Sequence, residues 1–456
     1  MIHFLRLGIV PFYLALCLVF GGASAAGYWA NMALQLLALP IIVWAAAVEP
    51  PQPLSTPARQ LIALLLLMVL VVGLQLVPLP PALWTALPGR GAVAEGFRLV
   101  GEPLPWLPLS LDPYWTISSA LWLLPAVAVL LGIIRLGSFR ASWLAWVLAT
   151  ITIASVAVGA LQIAGGPDSP WYFYEITNYG STTGFFANAN HMATLMVAAI
   201  PFLAALYLAA VAKGRSVQKS SGLLVVLAGV LGVIVVGIAI NTSLAGIGLS
   251  VPVLAGSLLM ILSRRRKVPK WAPLLIGLLL VGSVTAVFAA PFGNNLTSQR
   301  APSQEDSRYT SFTKSLAATA DFMPLGSGIG TFQQIYRTHE DPSAVDRFYM
   351  NHVHGDYIEL ALETGVPGLL VVLLFLLWWG RRTFQIWRAE QSDYFACAAT
   401  IASGAILAHS IVDYPLRTAA ISAVFAMCCG LMAAPRTQTR RSKQSTTTRA
   451  RHLSAD

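Results

Sequence analysis

Charge is scarce in this sequence. Only 11% of its 456 residues are Asp, Glu, Lys or Arg, against about 25% in an ordinary soluble protein. Acidic residues are the rarer sign, 19 against 29 Lys and Arg, and cysteine is nearly missing, with four in the chain. The shortage of charge excludes a disordered chain, a coiled coil and a soluble enzyme of ordinary surface. Cys17, Cys397, Cys428 and Cys429 all sit inside apolar runs, so neither a disulfide framework nor a thiolate metal site is expected. The sequence instead has apolar residues, 56% of the total, with a mean hydropathy of +0.69. This predicts an all-α polytopic membrane protein.

A span takes about 20 residues. Apolar runs stand at 7–25, 30–48, 59–78, 116–134, 142–164, 191–211, 222–240, 244–262, 272–290, 366–380, 394–411 and 417–434, which predicts about twelve transmembrane helices. Alternate joints carry the basic residues: Arg135 and Arg140; Lys213, Arg215 and Lys219; Arg264 to Lys267 with Lys270; Arg381, Arg382 and Arg388; then the tail after Pro435. The positive-inside rule makes that side cytoplasmic and puts both termini there. The first run has a second reading as a signal peptide, since Ala23-Ser24-Ala25 resembles a cleavage site. The net charge of +10 is read as topology and a solvated tail near membrane lipids, with no nucleic acid as partner. Three regions are expected: amino-terminal spans 1–164, with an interfacial loop at 79–115 that is rich in proline and tryptophan; a second set of spans at 165–434; and a basic tail at 435–456.

The polar chemistry collects in one external loop, 291–365. It holds nine of the nineteen acids, interleaved with Arg300, Arg308, Lys314, Arg337 and Arg347, and three of the seven histidines, His339, His352 and His354. Loops this long are usually functional or disordered. The aromatic residues here predict a folded one, with helices near 308–320 and 354–364. Several motifs carry two readings. Gly326-Ser327-Gly328-Ile329-Gly330-Thr331 is a phosphate nest or a close-packed turn. His352-Val353-His354 has no obvious third ligand, so no metal is expected; His354 as a general base stands against a helix-terminal contact. Arg308 is either a solvated charge or a phosphate ligand. Asn188 and Asn190 open the span near 191 as caps or as substrate contacts, and Asn241-Thr242-Ser243 divides the same way. Asp413 and Arg417 are either an i,i+4 pair or functional groups.

These residues together resemble the O-antigen ligase and polymerase superfamily of bacterial envelope glycosyltransferases. His354-Gly355-Asp356-Tyr357-Ile358-Glu359, followed by Gly365 eleven residues after His354 and by Gly368, is similar to the family's histidine motif. Gly184 to His191 resembles its asparagine motif. Arg308 with Pro324 to Phe332 resembles its large loop, and His409 to Tyr414 its late-span motif. The likeness covers about residues 180–417. One position departs: many members carry Arg where Leu244 stands. The resemblance implies a metal-independent inverting glycosyltransferase that needs no cofactor. Its donor would be a glycan on undecaprenyl diphosphate at the outer face of the bacterial inner membrane, and its acceptor a lipid A core sugar or a nascent glycan. It implies His354 as base or positioning group and Arg308 at the departing diphosphate. Asn188, Asn190, Asp356, Tyr357, Gly328, Arg337, Asp413 and Arg417 are the expected substrate contacts, with Asp356 a candidate to orient His354. Two other classes are carried beside it, a small-anion transporter and a non-catalytic assembly partner.

Overall fold

The computed structural model describes residues 2–24, 27–212, 217–241, 243–263, 271–288, 308–340, 350–390 and 393–434. The basic tail 435–456, the joints at 213–216 and 264–270, Thr242, and residues 289–307 and 341–349 of the large loop lie outside the described residues. The chain runs through α1 (Ile2–Phe20), α2 (Tyr28–Ala47) and α3 (Thr56–Gln75). A small module follows, made of β1 (Pro78–Leu79), α4 (Pro81–Trp84), α5 (Gly91–Leu99) and β2 (Leu107–Pro108), with the two strands paired antiparallel. Next come α6 (Pro113–Trp122), α7 (Leu124–Ile134), α8 (Ala141–Gly165), α9 (Ala189–Ala212), α10 (Val217–Asn241), α11 (Leu244–Ser263) and α12 (Ala272–Phe288). The last stretch holds α13 (Arg308–Asp321), α14 (Phe332–Arg337), α15 (Asp356–Trp387), α16 (Tyr394–His409), a 3-10 turn Pro415–Arg417 and α17 (Ala419–Ala433).

Among the described residues, eight helical stretches are long and apolar enough to cross a membrane: α2, α3, the α6–α7 pair, α8, α9, most of α10, α11 and α15. The chain is a multi-pass membrane protein. Shorter apolar helices, α1, α12, α16 and α17, stand on the other four expected runs. Two boundaries differ from the sequence reading. The run 116–134 is two helices meeting at Leu123, with Pro125 in the first turn of α7, where its missing N–H costs nothing. The run 366–380 is the middle of α15, which begins ten residues earlier.

The core is helix on helix. α9 is buried around its circumference from His191 to Ala205 and packs on α8, α10, α11 and α16. α16 is largely alanine, serine and glycine along its length, which lets its backbone approach α9 closely. α17 packs on α1, α7 and α16, and α3 on α15. Helix starts carry the expected caps: Ser55 accepts from the Ala58 N–H, Asp112 from Trp115, Asp393 from Phe395 and Ala396, and Thr418 from Ile421. The module after α3 exposes Leu83, Leu99, Val100 and Trp106, the character of a segment lying at a membrane interface.

α15 breaks once, and the break shapes the site. Gly365 has φ 58° and ψ −149°, a conformation essentially confined to glycine. The carbonyls released there are taken up from outside the helix. Ser327 N–H donates to Leu362 O (3.0 Å), Gly328 N–H and the Gln75 amide donate to Glu363 O (2.9 and 2.8 Å), and Val366 N–H donates to Pro324 O (2.8 Å). A β-carbon on Gly365 would strike Pro324 O, and one on Gly368 would strike the Thr364 hydroxyl. Gly365 is therefore a backbone necessity, and Gly368 makes room for the Thr364 side chain. Gly365→Ala is expected to lower stability by at least about 1–3 kcal/mol, read as a fall in thermal midpoint in detergent. An unchanged midpoint would contradict this account of the break.

Candidate functional site

Four segments distant in sequence converge at the loop-bearing end of the bundle: the start of α9, residues 350–355, the first two turns of α15, and the hairpin 409–418 between α16 and α17. Asp413 is buried at their centre. His354 Nδ1 lies 3.6 Å from its Oδ1, His191 Nε2 3.8 Å from the same oxygen, and His409 Nε2 3.9 Å from Oδ2. The Tyr414 N–H donates to Oδ1 at 2.8 Å. Burial alone would raise this carboxyl. The His354 contact and the imidazoles of His191, His354 and His409 outweigh it and hold the group well below the usual carboxylate range. A depressed folded value means that the stability Asp413 contributes is fully present above the unfolded carboxylate value, about 4, and is lost only as pH falls through the lower folded one. The thermal-midpoint deficit of Asp413→Asn is thus expected to be constant near neutrality and to shrink only in strong acid. A deficit that vanishes between pH 7 and 5 would overturn this.

His354 sits in the loop just before α15, with φ 58°, the one positive value among the described non-glycine residues. Such an outlier marks a side chain whose direction the surroundings impose. His352, two residues earlier, donates from Nδ1 to Glu359 Oε1 at 2.7 Å. Tyr414 packs against three imidazoles, its ring centroid 4.5 Å from His352 and 4.9 Å from both His354 and His191. Its hydroxyl accepts from the amides of Asn188 (3.4 Å) and Asn351 (3.5 Å).

A second cluster adjoins the first. Arg417 reaches three acids of α15: Asp356 (3.5 Å), Glu359 (3.3 Å) and Glu363, to which both terminal nitrogens donate at 3.1 Å. The spacing 356, 359, 363 puts the three carboxylates on one helix face. Asp413 and Arg417 do not pair. The chain between them is a hairpin ending in a 3-10 turn at Pro415, so the i,i+4 geometry of an α-helix is not available. Asp356 does not face His354: its carboxylate accepts from the Ser410 hydroxyl (2.8 Å) and faces Arg417. Asp413 holds the place behind His354.

The other expected residues fall as follows. Asn188 caps α9: its carbonyl accepts from His191 and Met192 N–H, its side-chain oxygen from Asn190 N–H. Asn190 accepts from the Ser243 hydroxyl at 2.7 Å, and Asn241 donates to Thr182 O and Ala189 O, so both asparagine motifs tie the loop ends to α9. The Tyr357 hydroxyl donates to Leu407 O (2.9 Å). Arg337 is exposed at the end of α14. Arg308 is the first residue of α13; its side chain lies outside the described ones. Leu244 packs beside Ala245, Val287 and Val412, an apolar wall next to the site.

The glycine-rich segment is not a phosphate nest. Its N–H groups are spent within the protein: Gly326 on Phe322 O, Ser327 on Leu362 O, Gly328 on Glu363 O, Ile329 on the Gln75 side chain (3.0 Å), Gly330 on Glu363 Oε1 (2.8 Å) and Thr331 on Gly328 O. A β-carbon on Gly328 would meet Ser110, so the glycines serve close packing. Sequence reasoning did not single out Gln75 or Arg90, because apolar periodicity carries no signal for a lone buried amide or guanidinium. Arg90 donates to Leu109 O and Gly326 O and packs over Phe322; burial lowers it to about 10. Gln75 is buried and bridges Ile329 N–H and Glu363 O. Gln75→Leu leaves the Ile329 N–H without a partner, at about 1–3 kcal/mol, while Glu363 O keeps the Gly328 N–H. The expected result is a lower thermal midpoint and faster hydrogen exchange at 326–331; unchanged exchange there would contradict it.

No group of three or more His, Cys, Asp or Glu side chains among the described residues has metal-holding geometry. Chemically, the site offers a partly exposed imidazole backed by a buried carboxylate, the arrangement of a general base.

Residues 230–373 match the family described as O-Antigen ligase. No curated protein matches the chain. The matched stretch contains Arg308, the turn at 326–331, both histidines of the motif and the carboxylates of α15. Asn188, His191, Asp413 and Arg417 lie outside it in sequence and complete the same site in space. Over residues 230–373 the chain is similar to the O-antigen ligase family.

Proposed function

We propose that this protein is a glycosyltransferase of the bacterial inner membrane that transfers or polymerises glycan from an undecaprenyl-diphosphate donor on the periplasmic face. The observation that carries the reading is His354 backed by Asp413 at 3.6 Å, at the loop-bearing end of the bundle. With Nδ1 turned to Asp413, Nε2 is the atom that takes the acceptor hydroxyl proton as that oxygen attacks the anomeric carbon and inverts it. Asp413 orients the ring and stabilises the imidazolium. Arg308 neutralises the departing diphosphate, a contribution typically worth a few kcal/mol. Arg417 and Asp356 hold the start of α15 in place, while Asn188 and Asn190 shape the opposite wall. A diphosphate is a good leaving group, so the reading routes no step through a metal or cofactor.

The lipid chain of the donor is assigned to an apolar groove of about 480 Å³ between α3 and α15, lined by Leu67, Val71, Leu325, Val366, Leu370 and Leu374. Its upper end is at the Gly365 break, two residues from Glu363. In this reading the twelve apolar helices all span, the termini are cytoplasmic, and 1–164, 165–434 and 435–456 act as supporting spans, transfer unit and membrane-facing tail. A transporter would carry paired ionisable groups near mid-membrane; the clusters found here sit at one end of the bundle, which favours the enzyme.

The test is surface glycan in a deletion strain complemented with the wild-type chain or with His354→Ala. Loss of capped lipopolysaccharide with long lipid-linked glycan retained identifies a ligase acting on a lipid A core acceptor. Single-repeat products identify a polymerase acting on nascent glycan. Full-length glycan from the expressed variant would sink the role given to His354.

A further inference from the structure

We propose that His352 is a second catalytic imidazole, the acid that serves the leaving group, working opposite His354. The inference rests on the glycan-transfer reading above and assigns a residue that this reading leaves idle. His352 does more than pack on Tyr414. Its Nδ1 lies 2.7 Å from Glu359 Oε1, within the range of a charge-assisted hydrogen bond. Glu359 is itself fixed from two other sides: Val353 N–H donates to Oε2 at 3.0 Å, and Arg417 lies 3.3 Å from Oε1. Both carboxylate oxygens therefore accept, so Nδ1 of His352 carries the proton and the tautomer is set. That leaves Nε2 for chemistry on a side chain that is 14% exposed, whereas Glu359 behind it is 1% exposed. This is the order of group, imidazole and orienting carboxylate found where a histidine moves protons.

The two dyads flank one ring. The His352 and His354 centroids lie 4.5 and 4.9 Å from that of Tyr414, so their separation is at most about 9.4 Å. That ceiling admits the spacing of about 6.5–9.5 Å between acid and base in inverting glycosidases, which leaves room for the attacking water. The dyads also differ in what lies beside them. Asp413 and His354 face α9 and α16 through His191 and His409. Glu359 belongs to α15, one turn before Glu363 and two before Val366 on the lipid groove. A diphosphate whose chain lies in that groove leaves on the His352 side.

The acceptor O–H proton passes to His354 Nε2 as its oxygen bonds to the anomeric carbon. The bond from that carbon to the phosphate oxygen breaks, and its electron pair goes to the phosphate. The His352 imidazolium gives its Nε2 proton to that oxygen and is reprotonated from solvent, to which His354 returns its own.

The test uses the full chain in lipid vesicles with two donors, the same glycan on polyprenyl diphosphate and on polyprenyl monophosphate, the poorer leaving group. His352→Asn keeps an amide N–H to face Glu359. It is expected to lose about 10²-fold on the diphosphate donor and at least about tenfold more on the monophosphate. His354→Asn is expected to lose the same factor on both. Glu359→Gln, a milder change, should follow His352→Asn. Equal losses on the two donors, or no loss, would overturn the assignment. A wild-type chain that turns over neither lipid-linked donor would overturn the reading beneath it, and is told apart because it shows in the wild type rather than in the ratio.

Discussion

His354→Ala is expected to cut the rate of glycan transfer by about 10²–10⁴-fold, the usual worth of a positioned general base, with the folded protein still recovered from the membrane. The side chain is partly exposed and touches Asp413 at 3.6 Å and the Tyr414 ring at 4.9 Å, so its loss leaves no large cavity. Asp413→Asn should follow it in direction. The asparagine keeps the volume but cannot hold the imidazole as its carboxylate partner does, so turnover falls while binding of the lipid-linked donor is retained. If His354→Ala transferred glycan within a few-fold of wild type, the base would have to be sought elsewhere among the imidazoles around Asp413.

The largest effect on stability is expected at Arg417. Its guanidinium is the common partner of Asp356, Glu359 and Glu363. Glu359 and Glu363 are 1% exposed at the side chain, and Asp356 11%. Arg417→Ala leaves three buried carboxyls without their shared guanidinium, and breaking a buried ion pair from one side costs about 3–5 kcal/mol. Lysine is a poor replacement: a point charge cannot serve three carboxylates that a planar fork reaches along different edges. Adding Glu363→Gln to Arg417→Ala should recover part of the loss, because it removes one of the charges left stranded. The measurement is the thermal midpoint of the detergent-solubilised protein. A midpoint for Arg417→Ala equal to wild type would mean that the acids find another partner or are held protonated.

The apolar runs were legible because a span writes itself as about 20 consecutive residues. Each of the twelve runs carries an apolar helix, although among the described residues eight helical stretches are long enough by themselves to cross. The helices at 308–320 and 354–364 were legible from their polar and aromatic mixture. The histidine motif and the late-span motif, read separately in the sequence, meet in space where His354 faces Asp413. What the sequence could not show is who faces whom. An i,i+4 spacing suggested Asp413 with Arg417, yet a proline hairpin turns one toward α9 and the other toward α15. A run of glycines looked like a phosphate cradle, yet its N–H groups are consumed by Gln75, Glu363 and neighbouring carbonyls. Such partners lie hundreds of positions apart, as Gln75 and Glu363 do, and no local pattern records them.

The account stands or falls on the chemistry of His354 with Asp413. The direct measurement is single-turnover transfer by the purified chain in vesicles, with a polyprenyl-diphosphate glycan and an acceptor glycan, following the new glycosidic bond and the released lipid diphosphate together. The account predicts equal amounts of both products from the wild type, inverted at the anomeric carbon, and a rate lower by at least about 10²-fold in His354→Ala and in Asp413→Asn. Product with retained configuration, or full-rate transfer by either variant, would contradict it.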